Sequence, residues 1–164
     1  MQQSVSYLYK MGQRCLNLGN PKEALGYFSK VLEIEPENKD ALIKKGNIFG
    51  KLGKYQDAIP FYDKVLEQNP DDLLALVNKG LALHFMKQFD DAIHCYDVVL
   101  KIKPDSAVAL YNKASSLVQK NQTKQALETL KQAIRKDRSY KPKAKNDIDF
   151  QKVKHLIEFK KIVL

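Results

Sequence analysis

With 164 residues, 44% of them apolar and 29% charged, the chain is long enough for one compact domain or one short repeat array and too apolar for wholesale disorder. A net charge of +9 leaves nucleic acid, an anionic membrane and acidic protein segments open as partners, but the excess is spread along the chain rather than gathered in a patch. No apolar run reaches the roughly 18 residues of a membrane-crossing helix. The first residues, Met-Gln-Gln-Ser-Val-Ser, lack a basic region followed by an apolar core, so no secretory signal is read and a cytoplasmic location is expected. Cys15 and Cys95 have no paired spacing and are expected to be buried small hydrophobes rather than a disulfide or metal ligands.

Taken in order, the elements recur. Ser4, Asn38, Asp72 and Ser106 each precede an apolar-periodic run, and each side chain can accept a hydrogen bond from a first-turn amide. Helices are therefore predicted to start near residues 5, 39, 73 and 107. Gly19 and Gly53 end two of them in a left-handed turn, Asn121 can do the same for the fourth, and the third offers only Lys87 and Gln88. Asn20, Pro21 and Glu23 form a capping-box arrangement for a following helix. Second helices are predicted over about 21–34, 55–68, 89–102 and 123–136. Pro36, Pro70 and Pro104 stop three of these, because proline lacks the amide that a continuing helix needs. Pro60 falls inside one, where a kink or a delayed start is expected at a cost of about 3 kcal/mol.

The proline spacings are equal: 70 − 36 and 104 − 70 are both 34. Leu8, Leu42, Leu76 and Leu110 keep that interval, as do Gly12, Gly46, Gly80 and Ala114. Ala24, Ala58, Ala92 and Ala126 follow it too, and so do Phe28, Tyr62, Tyr96 and Leu130. A period of 34 with small, aromatic and proline positions in fixed order marks a solenoid of helical hairpins. The small residues are expected to let helix backbones approach, and the aromatics to fill the space to the next hairpin. A lone hairpin buries little, so stability comes from stacking. Truncating Phe28 to Ala is expected to cost roughly 3–5 kcal/mol if it is fully buried.

These residues closely resemble the tetratricopeptide repeat family, over about residues 5–138. The resemblance implies an all-α, right-handed superhelical solenoid of four helix-turn-helix repeats at 5–38, 39–72, 73–106 and 107–140, plus a C-terminal capping helix over 141–164. The chain departs from the family pattern in carrying leucine at the first-helix aromatic position. Lys45, Lys79 and Lys113 also stand where the family often has an apolar residue, and are read as stems along the core with ammonium heads in water. A basic ladder facing an acidic ligand is the sharper alternative.

Residues 141–164 read as one helix from about 143. Phe150, Val153, Ile157 and Leu164 would fall on one face, and Ile148, Leu156, Phe159 and Val163 nearly opposite. One face would cover the fourth hairpin. The other would be free for self-association, a ligand or more chain, or would simply fray.

No catalytic constellation is read, so the chain is not expected to be an enzyme. His84, His94 and His155 lack the spacing of a metal site, no glycine-rich phosphate loop occurs, and no cofactor is expected. The resemblance implies instead a groove lined by the first helices that takes a peptide or helical segment of a protein partner. By repeat position it is lined by Ser6, Tyr9, Gln13 and Leu16; then Asp40, Ile43, Lys44, Asn47 and Gly50. Leu74, Val77, Asn78, Leu81 and His84 follow, then Val108, Tyr111, Asn112, Ser115 and Val118. The carboxylate clamp of the family's chaperone-binding members is broken here. Asn47 and Asn78 match it, but Ile43, Val108 and Asn112 replace its cations, so a carboxylate would lose most of its charge-assisted bonds. The apolar middle suits a scaffold that buries a peptide's side chains. A groove partly filled by the protein's own last helix is the bland alternative. The rival function is a basic helical-repeat protein that binds nucleic acid or an acidic partner through its lysine-rich surface, chiefly Lys141, Lys143, Lys145, Lys152, Lys154, Lys160 and Lys161. Asp147, Asp149 and Glu158 dilute that tail, so nucleic acid is not the expected partner, and neither is a membrane.

Overall fold

The computed structural model describes residues 4–164; the reading of residues 1–3 as part of an unsignalled start lies outside them. Four helix pairs occupy the repeats. They are α1 (Val5–Asn17) with α2 (Pro21–Ile34), and α3 (Lys39–Lys51) with α4 (Tyr55–Gln68). α5 (Leu73–Phe85) follows with α6 (Phe89–Ile102), then α7 (Ala107–Gln119) with α8 (Thr123–Lys136). No helix among the described residues is long and apolar enough to cross a membrane.

Three of the four expected caps form. Ser4 Oγ accepts from the Tyr7 amide at 3.2 Å, Asn38 Oδ1 from Ala41 at 3.0 Å, and Asp72 Oδ1 from Ala75 at 2.9 Å. Each satisfies a first-turn amide that has no partner inside its own helix. Ser106 makes no such bond, and neither does Asn20, so the expected capping box with Glu23 is absent. Asn20 is spent on the preceding turn: its amide donates to Cys15 O at 2.8 Å, which holds it at φ −106°, ψ 70°. Gly19 and Gly53 take the left-handed conformation after α1 and α3, with φ of 77° and 72°. Asn121 does so at 60°, and Lys87 accepts the same geometry at 62° despite its Cβ. Pro60 neither delays nor interrupts α4, which starts at Tyr55 and runs past it. The proline is exposed, so water can reach the Gln56 carbonyl that loses its amide partner.

Two units divide the chain, Met1–Asn78 and Lys79–Leu164. The first has a core of Leu8, Cys15, Ala24, Phe28, Val31, Ala41 and Ile48. The second is centred on Leu110, Tyr111, Leu117, Leu130, Phe150, Val153, Phe159 and Val163. Cys15 and Cys95 are buried, as expected.

Hairpin closure differs from expectation in one respect. The aromatic of each second helix lies on the first helix of its own hairpin. A Cβ built on Gly12 would stand 2.8 Å from the Phe28 ring, and one on Gly46 or Gly80 would stand 2.6 Å from Tyr62 or Tyr96. Glycine in this column is therefore the seat of the ring. The fourth hairpin pairs Ala114 with the narrower Leu130, both fully buried.

The C-terminal segment corrects the sequence reading. In place of one helix there are α9 (Tyr140–Asn146), a 3-10 helix over Ile148–Val153 and α10 (Ile157–Val163). Asp147 makes the break. Its backbone is extended at φ −72°, ψ 129°, and its Oδ1 accepts from the Asp149 amide at 3.0 Å, a local bond that competes with helix continuation. The two expected helix faces consequently do not exist. Phe150 and Val153, from one, and Phe159 and Val163, from the other, all enter the same core. Ile148, Ile157 and Leu164 stay exposed. The segment packs on α7 and α8.

Candidate functional site

The residues expected to line a groove divide between the two units. In the first, Tyr9 and Gln13 are half-buried on α1, one helical turn apart, with Gln13 Nε2 3.5 Å from the Tyr9 hydroxyl. The Tyr9 ring meets Phe28 edge-on at 5.4 Å, and burial followed by the nearby Asp40 charge raises its phenol pKa. Lys44 and Asn47 are half-buried on α3. Ile43 is not a surface contact: it is 4% exposed and belongs to the interior. On α5, Leu74 is exposed, and Val77 and Asn78 are half-buried.

The two asparagines are structural partners. Asn47 Oδ1 accepts from Asn78 Nδ2 at 3.0 Å and from the Tyr62 hydroxyl at 2.9 Å. Burial pushes the Tyr62 phenol up to about 12, so it remains a donor at any physiological pH. Lys39 and Asp72 form a second tie, at 2.5 Å, between the starts of α3 and α5. Lys45 also faces inward to its neighbours, donating to Ser29 Oγ at 2.9 Å and lying 4.9 Å from the Phe61 ring centre. In the second unit Lys113 pairs with Asp97 at 2.5 Å. These two lysines fasten a first helix to the second helix before it, and are not rungs of a ligand-binding ladder.

In the second unit Leu81 and Val108 are exposed and Asn112 is half-buried. His84, Tyr111, Ser115 and Val118 are buried, and the chain's own segment 147–153 engages the first three. Ser115 donates to Asp149 Oδ2 at 2.6 Å, and His84 Nε2 stands 3.2 Å from the same oxygen. A carboxylate only accepts, so that nitrogen carries the proton, and His84 Nδ1 lies 2.8 Å from the Ser116 hydroxyl. The bond from His84, with help from Ser115 and against the effect of burial, holds the Asp149 carboxyl below its usual range. Gln119 Nε2 donates to Asp149 O at 2.8 Å.

Tyr111 anchors the other end of this segment. Its hydroxyl donates to Asp147 Oδ2 at 2.7 Å, its ring stacks on Tyr140 at 4.6 Å and tilts against Phe150 at 5.4 Å, and Lys143 Nζ sits 4.5 Å from its centre. Burial and then the bond to Asp147 drive its pKa upward. The segment thus occupies α7 much as a short bound peptide would, with two carboxylates held by hydroxyls and an imidazole and Phe150 fully buried. Sequence reasoning missed Asp147 and Asp149 as contacts. They read as charges diluting a basic tail, and the one available signal was their placement two residues apart, just ahead of Phe150.

Among the described residues no group of three or more His, Cys, Asp or Glu is placed to hold a metal ion.

Four tetratricopeptide repeat models match the chain, at residues 5–38, 40–72, 61–94 and 86–146. No curated protein matches the sequence. Among solved structures, MamA 41-end from Desulfovibrio magneticus RS-1 is 26% identical with a TM-score of 0.81, covering 99% of this chain and 91% of that one. A MamA RS-1 double mutant, at 23% identity and a TM-score of 0.80 over 99% and 96%, has the same fold. YrrB, described as a TPR protein with an unusual peptide-binding site, is 27% identical at a TM-score of 0.74, covering 84% of this chain and 71% of that one. The matched segments together take in 5–38 and 40–146, and they carry the small, aromatic and proline columns on the helix pairs just described. The chain belongs to the tetratricopeptide repeat family.

Proposed function

We propose that this chain is a non-enzymatic scaffold that binds a peptide or helical segment of a protein partner along the inner faces of its first helices. In the first unit the contact residues are Tyr9, Gln13, Lys44, Leu74 and Val77, with the Asn47–Asn78 pair as polar floor. Leu74, 52% exposed beside half-buried Val77, supplies apolar surface that a ligand side chain can cover. In the second unit Leu81, Val108 and Asn112 are the accessible members of the same columns.

The observation that carries this reading is the seat of segment 147–153 on α7. The inner face of one first helix already accepts a short segment through hydrogen bonds to its polar side chains and burial of one aromatic. YrrB's described peptide-binding site supports a peptide as the class of ligand.

A displayed random-peptide library selected against the wild type, beside Leu74→Glu with Val77→Glu, tests the proposal. Binders retained by the wild type and lost by the variant, with unchanged circular dichroism, are expected. Equal retention by both would remove the first unit's inner face from the reading.

A further inference from the structure

Where α7 stacks on α6 in the second unit, the charges are ordered. The incoming helix brings the lysine and the second helix supplies the carboxylate. Lys113 meets Asp97 at 2.5 Å, and Lys120 pairs with Asp90. Advanced by the repeat of 34, Asp97 and Asp90 become Lys131 and Lys124 on α8 (97 + 34 = 131; 90 + 34 = 124). The receiving face of the last hairpin has the opposite sign to the one before it.

That face is only partly covered. α10, seven residues long, turns Phe159 and Val163 into the core and leaves a groove of about 870 Å³ against α8. Leu127, Ile134, Leu156 and Ile162 form its apolar floor. Around them Lys124, Lys131, Arg135 and Lys161 outnumber Glu128 and Glu158. Apolar floors rimmed by charge mark protein-interaction surfaces, and the sign of the rim selects the partner.

We propose that the groove between α8 and α10 docks an amphipathic helix of another protein that carries Asp or Glu opposite Lys124 and Lys131. In a head-to-tail stack, a second copy would bring α1, which contains Lys10 and Arg14 and no acid, against these lysines, so charge complementarity favours a different, acidic helix. The groove shares no residue with the inner faces, so a partner here leaves those faces free.

The probe is a pair of designed helical peptides with the same leucine face, flanked by Glu in one and by Lys in the other. Each is titrated into the isotope-labelled full chain and followed by amide chemical shifts. The Glu peptide should shift Leu127, Ile134 and Ile162 and bind at least tenfold more tightly than the Lys peptide. Lys124→Glu with Lys131→Glu, both exposed, should reverse that order. Equal affinities, shifts confined to other residues, no shift with either peptide, or an unreversed order in the double variant would each overturn the proposal. So would concentration-dependent shifts of the same three residues without peptide, which would mean a second copy in the groove.

Discussion

His84 Nε2 stands 3.2 Å from Asp149 Oδ2, so a histidine expected to face a ligand is engaged by the chain's own carboxylate. Ser115 reaches the same oxygen at 2.6 Å, and Gln119 binds the Asp149 backbone carbonyl. One aspartate therefore latches the C-terminal segment to α5 and α7.

Removing the latch has a calculable cost. Bonds to a charged acceptor contribute about 1.5–3 kcal/mol each, less than additively. Asp149→Ala should destabilise the second unit by about 2–3 kcal/mol, measured by urea denaturation, and should open residues 147–153 to hydrogen exchange before the rest of the unit.

The same residue sets an acid limit. The folded Asp149 carboxyl titrates below its unfolded value, chiefly through the bond from His84. Its contribution is therefore complete above the unfolded carboxylate range near pH 4 and fades as pH falls through the lower folded value. Stability measured from about pH 5 to pH 2 should fall less steeply in Asp149→Asn than in the wild type.

Gly46 and Tyr62 form a pair that the chain itself has solved in two ways, because the equivalent residues in the fourth repeat are Ala114 and Leu130. Gly46→Ala alone forces its Cβ onto the ring and should cost about 1–3 kcal/mol. Combined with Tyr62→Leu, the total loss should be smaller than the sum of the single losses by at least 0.5 kcal/mol, a coupling read from a double-mutant cycle by thermal or urea melts.

Tyr62 and Tyr96 share a column but not a fate for their hydroxyls. Tyr62 donates to Asn47 at 2.9 Å, whereas the buried Tyr96 hydroxyl has no hydrogen-bond partner among the described residues. Tyr62→Phe should cost about 1 kcal/mol. Tyr96→Phe should be neutral or stabilising by about the same amount, because an unmet buried hydroxyl carries a desolvation penalty. Paired denaturation curves decide it.

Lys87 is an exposed residue with a Cβ held at φ 62°, where Gly19 and Gly53 end the earlier first helices. Left-handed backbone costs an L-residue roughly 1–2 kcal/mol, part of which glycine returns as unfolded-state entropy. Lys87→Gly should raise stability by up to about 1 kcal/mol, and Lys87→Val should lower it by a similar amount, both read from the urea midpoint.

The sequence alone determined the repeat and the boundaries of its eight helices, because each rests on chemistry local to the backbone. Side-chain oxygens at Ser4, Asn38 and Asp72 start helices, while Pro36, Pro70 and Pro104 deny the amide that would extend them. Glycine against an aromatic was legible as a column, although not as a ring seated on its own hairpin. Tertiary structure alone decided that Ile43 is interior, that Asn47 and Asn78 hold one another, and that His84, Tyr111 and Ser115 are occupied. Helical periodicity could not reveal the occupant. It assumes that the helix over 143–164 continues, whereas Asp147 ends it by binding its own neighbour, and the freed segment returns because Phe150 gains more by burial on α7 than solvent allows it.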